Sequence, residues 1–177
     1  MKKILVVVDM QNDFIDGTLG TKEAQSIVPK VCDRIRSFSG EIYGTLDTHK
    51  EDYMETQEGK KLPVVHCIAG EEGWALNQEV MDAIFETKAE VHEFCRKDTF
   101  GSKELARMLE EKYQGQDLEI TFIGLCTDIC VISNALCLKA VLPEAKLIVD
   151  ASCCAGVTPE SHKNALEAMK VCQIQVI

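Results

Sequence analysis

Cys130, Asp9 and Lys97 are the residues whose types and surroundings suggest covalent chemistry. Cys130 closes the stretch Glu119–Val131, in which a short apolar run with Ile120, Phe122 and Ile123 ends at Gly124. The chain then passes through Leu125, Cys126 and Thr127 into a predicted helix from Asp128 to about Leu142. Asp128 is the expected N-cap, its carboxylate accepting the free backbone N–H groups of the first turn. Cys130 then sits in that turn, where unpaired N–H groups and the positive helix end favour a thiolate. The same N–H groups can stabilise an oxyanion on a carbonyl that the sulfur attacks.

Asp9 follows the apolar run Ile4–Val8 and is expected to be partly buried. A desolvated carboxylate is costly unless a cation or a hydrogen-bonded thiol stands beside it. Lys97, just past a later strand, is such a cation; it would hold Asp9 ionised and offset negative charge at a reacting centre. The plainer alternatives are a turn-capping Asp9 and a surface lysine. A phosphoryl-acceptor role for Asp9 is weakened because Gln11, not a second aspartate, stands two positions on.

Asp47-Thr48-His49, with His66 further along, forms a candidate metal site. Two imidazoles and a carboxylate, with remaining positions open to water, suit Zn²⁺, Mn²⁺ or Fe²⁺. They are joined by a long polar connection over 48–71, of the kind that usually has a function. His92 and His162 read as ordinary residues.

The elements that must position these groups are legible from periodicity. Strands are predicted over Ile4–Val8, Ile42–Leu46, Val91–Cys95, Ile120–Leu125, Lys146–Val149 and Ile174–Ile177. Helices are predicted over 22–38, 72–87, from Ser102 as N-cap to Tyr113, over 128–142 and over 159–170. Strands and helices alternate without a linker or repeat. This predicts a single α/β domain over 1–177, a three-layer sandwich on a six-stranded, mainly parallel sheet. Asp9, Asp47, Arg96-Lys97-Asp98, Cys126–Cys130 and Asp150 each follow a predicted strand, so they converge on the rim where open α/β sheets bind ligands.

Composition narrows the function classes. The 177 residues carry 19 Lys+Arg against 29 Asp+Glu, a formal net charge of −10, which argues against nucleic-acid backbone binding. No apolar run approaches the roughly 18 residues of a membrane helix. The five-residue run Ile4–Val8 is followed by Asp9 rather than a small-residue cleavage site, so it reads as a strand and not a leader. Nine cysteines scattered through apolar segments, with no Cys-x-x-Cys, read as reduced thiols in a cytoplasmic protein.

Three motifs, Asp9-Met-Gln-Asn-Asp13-Phe14, Arg96-Lys97-Asp98-Thr-Phe-Gly-Ser102 and Gly124-Leu-Cys-Thr-Asp128-Ile-Cys130-Val, occur in an order that resembles the isochorismatase-like cysteine hydrolases over essentially the whole chain. The resemblance implies a catalytic triad of Asp9, Lys97 and Cys130. It also implies a non-proline cis peptide between Leu125 and Cys126 at the oxyanion site. Asp47-x-His49 with Pro63-Val-Val-His66-Cys67 is similar to the nicotinamidase branch. In that branch Asp and two His hold a metal ion that binds the pyridine nitrogen, and Phe14 matches an aromatic residue packed on the substrate ring. The family often has Trp-Pro before this His. Here Leu62-Pro63 stands there with one extra residue, and Trp74 lies outside the pattern.

The implied activity is conversion of nicotinamide to nicotinic acid and ammonia through a thioester, as in NAD salvage. The implied partner is a small amide, with homo-oligomerisation left open. Hydrolysis of another amide, a carbamoyl compound or an isochorismate-like vinyl ether is the alternative, and a non-catalytic binding module of the same fold is a third reading.

Overall fold

β1 (Lys2–Val8) sends alternate side chains into two different cores. Ile4, Val6 and Val8 enter one, Leu5 and Val7 the other, and all five are fully buried. A strand apolar on both faces belongs inside a parallel sheet covered by helices on each side. The computed structural model, which describes residues 1–177, has that arrangement.

After β1 come α1 (Asn12–Ile15), α2 (Lys22–Ser37) and β2 (Glu41–Asp47). The connection onward carries α3 (Gln57–Lys61) and α4 (Gln78–Glu86). Then follow β3 (Glu90–Val91), β4 (Cys95–Lys97), α5 (Lys103–Tyr113) and β5 (Leu118–Leu125). The chain ends with α6 (Ile132–Val141), β6 (Lys146–Ala155), α7 (Pro159–Val171) and β7 (Gln175–Val176). The sheet has the order β3-β2-β1-β5-β6-β7, with β4 also on β2, and every pairing is parallel.

Helices α5, α6 and α7 supply Leu105, Leu109, Leu138, Leu166 and Met169 to one core. Helices α2 and α4 supply Ile27, Val31, Ile35, Val80 and Ala83 to the other. The α/β sandwich expected from the sequence is therefore present. Successive strands run outward from β1 on one side and from β5 on the other, so the strand order reverses between these two. The crevice at such a switch point is where open sheets bind ligands. No helix is long and apolar enough to cross a membrane.

Four expectations are corrected. The sheet has seven strands rather than six, because the predicted strand Val91–Cys95 divides into β3 and β4. Between them Phe94 lays its ring against Gly44, where any Cβ would collide with it, and the chain bulges away from β2. The predicted helix over 72–87 begins only at Gln78. The carbonyls of Gly73 and Ala75 instead accept from the N–H groups of Asp13 and Asn12, at 3.0 Å each.

β6 continues to Ala155 through a bulge, so Asp150 lies within the strand and away from the rim. Its carboxylate accepts from Ser152 N–H at 3.1 Å and lies 3.8 Å from Arg34. Asp128, finally, does not cap a helix. The segment Thr127–Val131 is a π-helical turn, and the Asp128 carboxylate accepts from Val157 N–H at 3.1 Å.

At the amino end of the sheet, away from the rim, Glu41 is 5% exposed and gathers donors from several elements. Lys2 forms a close ion pair with it, and Lys112 Nζ, Tyr43 Oη and His92 Nε2 lie 2.9, 3.0 and 2.7 Å away. Burial pushes the Glu41 carboxyl up, but hydrogen bonds from Lys2, Tyr113, Lys112 and Tyr43 outweigh it and hold the carboxyl well below the usual range. A group held low in the folded state stabilises above its unfolded pKa and loses that contribution as pH falls. Glu41→Gln should therefore cost about 1–3 kcal/mol at pH 7. The gap to the parent protein should narrow as pH drops below about 4.3. Urea midpoints across pH would read both.

Candidate active site

β1 ends because Asp9 turns the chain with φ of 47°. The turn sends the Asp9 side chain under the rim, where it is 0% exposed and its Oδ1 accepts from Thr45 Oγ1 at 2.7 Å. Lys97 closes β4 in register with Asp47 at the end of β2, so the two side chains meet. Its ammonium lies 2.7 Å from Asp9 Oδ2, 3.1 Å from Asp47 Oδ1 and 3.4 Å from Cys130 Sγ. Burial works against its charge, but Asp9, Cys130 and Asp47 outweigh burial, so Lys97 holds its proton more tightly than an exposed lysine. The predicted trio Asp9, Lys97 and Cys130 is brought together.

Cys130 arrives on the π-helical turn, in which the carbonyl of Cys126 accepts from Ile129 N–H at 3.1 Å and Val131 N–H at 3.0 Å. Gly124, with φ of 116°, lets β5 pass against the Val8 carbonyl, which a side chain there would strike. The next bond, Leu125–Cys126, is cis. The expectation of a ready thiolate is corrected by the surroundings. Cys130 is 5% exposed, and burial followed by the Asp9 carboxylate pushes its thiol well up, against the pull of Lys97. The resting sulfur carries its proton and has a carboxylate beside it. Burial also raises Asp9, with Lys97 opposing, which makes it a better proton acceptor than an exposed aspartate.

Asp47, His49 and His66 also converge, their ligand atoms all lying within 4.8 Å of one another. His49 reaches the cluster because its N–H donates to Cys67 O at 2.9 Å, while Ala69 N–H donates to His49 O at 3.0 Å. His49 Nε2 and His66 Nε2 stand 3.0 and 3.5 Å from Asp47 Oδ2. His66 Nδ1 donates to Val64 O at 2.8 Å, which orients the ring so that Nε2 faces the cluster. Burial raises the Asp47 carboxyl, but His49, His66 and Lys97 outweigh it and keep Asp47 ionised. Two imidazole nitrogens and a carboxylate facing one point suit a divalent cation.

Sequence reading missed Glu58. Its Oε1 lies 3.8 Å from His49 Nε2 and 3.9 Å from His66 Nε2, as a further oxygen donor. It sits in the short helix α3, within the polar connection, where no spacing rule singles it out.

Both clusters open on one cavity of about 620 Å³. Phe14, His66, Asp47, Leu125, Cys126 and Cys130 line it, and the Phe14 ring stands edge-on to His66 at 5.6 Å. Ten of its 19 lining residues are hydrophobic, and Lys61 is the one cation among them. Trp74 lies outside it, stacked under the Arg96 guanidinium at 4.9 Å.

A parallel α/β sandwich with a buried carboxylate, ammonium and thiol at its switch point, beside a two-histidine, one-carboxylate cluster, defines the class. The pattern of the Isochorismatase domain matches residues 3–177, and the chain belongs to the isochorismatase family of hydrolases. It is 28% identical over 176 residues to the uncharacterized isochorismatase family protein PncA of Bacillus subtilis (strain 168), covering 94% of this chain and 93% of that one. The crystal structure of nicotinamidase/pyrazinamidase PncA from Bacillus subtilis is similar, with a TM-score of 0.81, 26% identity and 99% of each chain covered. The pyrazinamidase of Pyrococcus horikoshii in complex with zinc is also similar, with a TM-score of 0.74, 28% identity and 100% and 99% of the two chains covered.

Proposed function

We propose that the protein is a nicotinamidase: a metal-dependent cysteine amidohydrolase that converts nicotinamide to nicotinic acid and ammonia, as NAD salvage requires. The observation that carries this reading is that Cys130 lines the same largely apolar cavity as Asp47 and His66 of the Asp47–His49–His66 cluster, which lets one ring amide address both. Asp9 takes the thiol proton as Sγ bonds to the carboxamide carbon. The backbone N–H groups of Cys126 and Cys130 receive the oxyanion. Asp9 returns its proton to the nitrogen, the C–N bond breaks and ammonia leaves a thioester. Asp9 then takes a proton from water, which attacks the thioester carbon; the C–S bond breaks to release the acid, and Asp9 returns the proton to the sulfur. Lys97, 2.7 Å from Asp9 Oδ2, favours the ionised form of Asp9 before each proton transfer.

Asp47, His49 and His66 would hold Zn²⁺, Mn²⁺ or Fe²⁺ as a Lewis-acidic anchor for the ring nitrogen. Phe14 packs on the ring face. A vinyl-ether substrate of the isochorismate type carries two carboxylates and calls for paired cations; Lys61 is the one lysine or arginine lining the cavity, which favours a neutral amide. Ammonia release from nicotinamide, pyrazinamide and aliphatic amides tests the reading. The ring amides should turn over and the aliphatic ones should not. Chelation should cut nicotinamide turnover by at least about 100-fold, because a ring out of place by an ångström loses the attack geometry. Added Zn²⁺ or Mn²⁺ should restore it, and turnover indifferent to chelation would contradict the role given to the metal.

A further inference from the structure

The end of β2 has a gap in its backbone bonding that one side chain fills. β1 stops at Val8, opposite Thr45, while β2 runs on through Leu46 to Asp47. Beside Asp47 there is no further β1 backbone. The Gln11 carboxamide stands in its place: Nε2 donates to Asp47 O at 2.8 Å, and Oε1 accepts from Asp47 N–H at 2.7 Å. These are the two bonds that a neighbouring strand would otherwise supply, and buried backbone groups require them. Nε2 also donates to Trp74 O at 2.8 Å, and Gln11 is 0% exposed. The carboxamide therefore behaves as a detached peptide unit, with the bonds made by both its nitrogen and its oxygen tying it into the fold.

Asp47 is also the carboxylate that faces His49 and His66, and its direction follows from its backbone. Nearby residues of the same segment brace the other side of the cluster. Asp13 Oδ2 accepts from the N–H of Cys67, next to His66, at 2.7 Å, and Phe14 packs edge-on to the His66 ring. We infer that Gln11 is a positioning residue for the Asp47 carboxylate, so that affinity for a divalent cation depends on its carboxamide. The inference rests on the metal-binding part of the function proposed above. Groups that orient metal ligands without touching the ion typically govern its affinity by 10–100-fold.

The test uses the metal-free full chain and Gln11→Met, which keeps the side-chain length and removes all three bonds. Zn²⁺ dissociation constants come from competition with a chromophoric chelator, and melting temperatures are taken with and without Zn²⁺. The variant should bind Zn²⁺ about 10–100-fold more weakly. Its Zn²⁺-induced rise in melting temperature should shrink to match, since that rise scales with the logarithm of metal concentration over Kd. A purely structural role would lower both melting temperatures equally and leave the dissociation constant unchanged, and that result would overturn the inference. If Gln11→Met does not fold, Gln11→Asn, one methylene too short to reach the same partners, answers the same question. Loss of the fold in both variants would overturn it too, by making the role structural. A parent protein that binds no Zn²⁺ would instead refute the metal reading itself, and the inference with it.

Discussion

Cys130→Ala should abolish ammonia release from nicotinamide, lowering kcat by at least about 10⁴-fold, the scale on which loss of a covalent nucleophile is felt. The sulfur lies 3.4 Å from Lys97 Nζ, which in turn lies 2.7 Å from Asp9 Oδ2, and no oxygen or nitrogen in that position could form the thioester. The substitution removes a small side chain from a site open to the cavity, so stability should change little and substrate binding should persist. Cys153→Ala is the control. Cys153 is buried on the opposite face of the sheet from Cys130, in the core with α2, and its loss should leave turnover intact. Steady-state ammonia assays on the two variants, with circular dichroism to confirm folding, would separate the outcomes. Comparable activity in both would remove the nucleophile from the account.

Lys97→Met should damage folding as well as catalysis. The ammonium is 2% exposed and is the common cation of two carboxylates, Asp9 and Asp47, themselves 0% and 6% exposed. Removing one partner from a buried ion pair strands the remaining charge, at a cost of about 3–5 kcal/mol. Domains are commonly stable by only about 5–15 kcal/mol, so much of the margin would go.

The sign of the pH dependence follows from Asp9. Burial already raises its carboxyl and Lys97 is the main opposing influence, so the variant should raise it further. A carboxyl raised in the folded state gives stability that is present below its unfolded pKa, about 3.9, and is lost as pH rises through the folded value. The deficit relative to the parent protein should therefore be larger at pH 8 than at pH 5, as urea midpoints would show. Turnover should fall as well, since a protonated Asp9 cannot accept the thiol proton. A variant as stable as its parent at both pH values would contradict the burial of these charges.

Much of this was legible in the chain because the relevant signals are local. Apolar runs followed at once by Asp9 or Asp47 mark buried strands ending on a polar rim, and the α/β alternation carries the rest. The Asp-x-His spacing of Asp47 and His49 likewise marks a shared ligand face. What was not legible depends on contacts between distant segments. Periodicity placed Glu72–Asn77 in a helix, whereas Asn12 and Asp13 take the carbonyls of Ala75 and Gly73. Asp150 looked like a strand terminus because it is charged, but Arg34 and Ser152 satisfy it inside β6. The π-helical turn under Cys130 is invisible because Asp128 has the chemistry of an N-cap, yet its partner is the N–H of Val157, 29 residues along the chain. The state of the thiol is hidden in the sequence for a related reason. A helix terminus alone favours the thiolate, but burial beside the Asp9 carboxylate outweighs it.

The most direct measurement is mass spectrometry of the intact protein, acid-quenched while it turns over nicotinamide, followed by peptide mapping. A nicotinoyl group on the sulfur of Cys130, absent from Cys130→Ala, is the predicted result. Sustained ammonia release with the acyl group on another residue, or with none on the protein at any quench time, would contradict it.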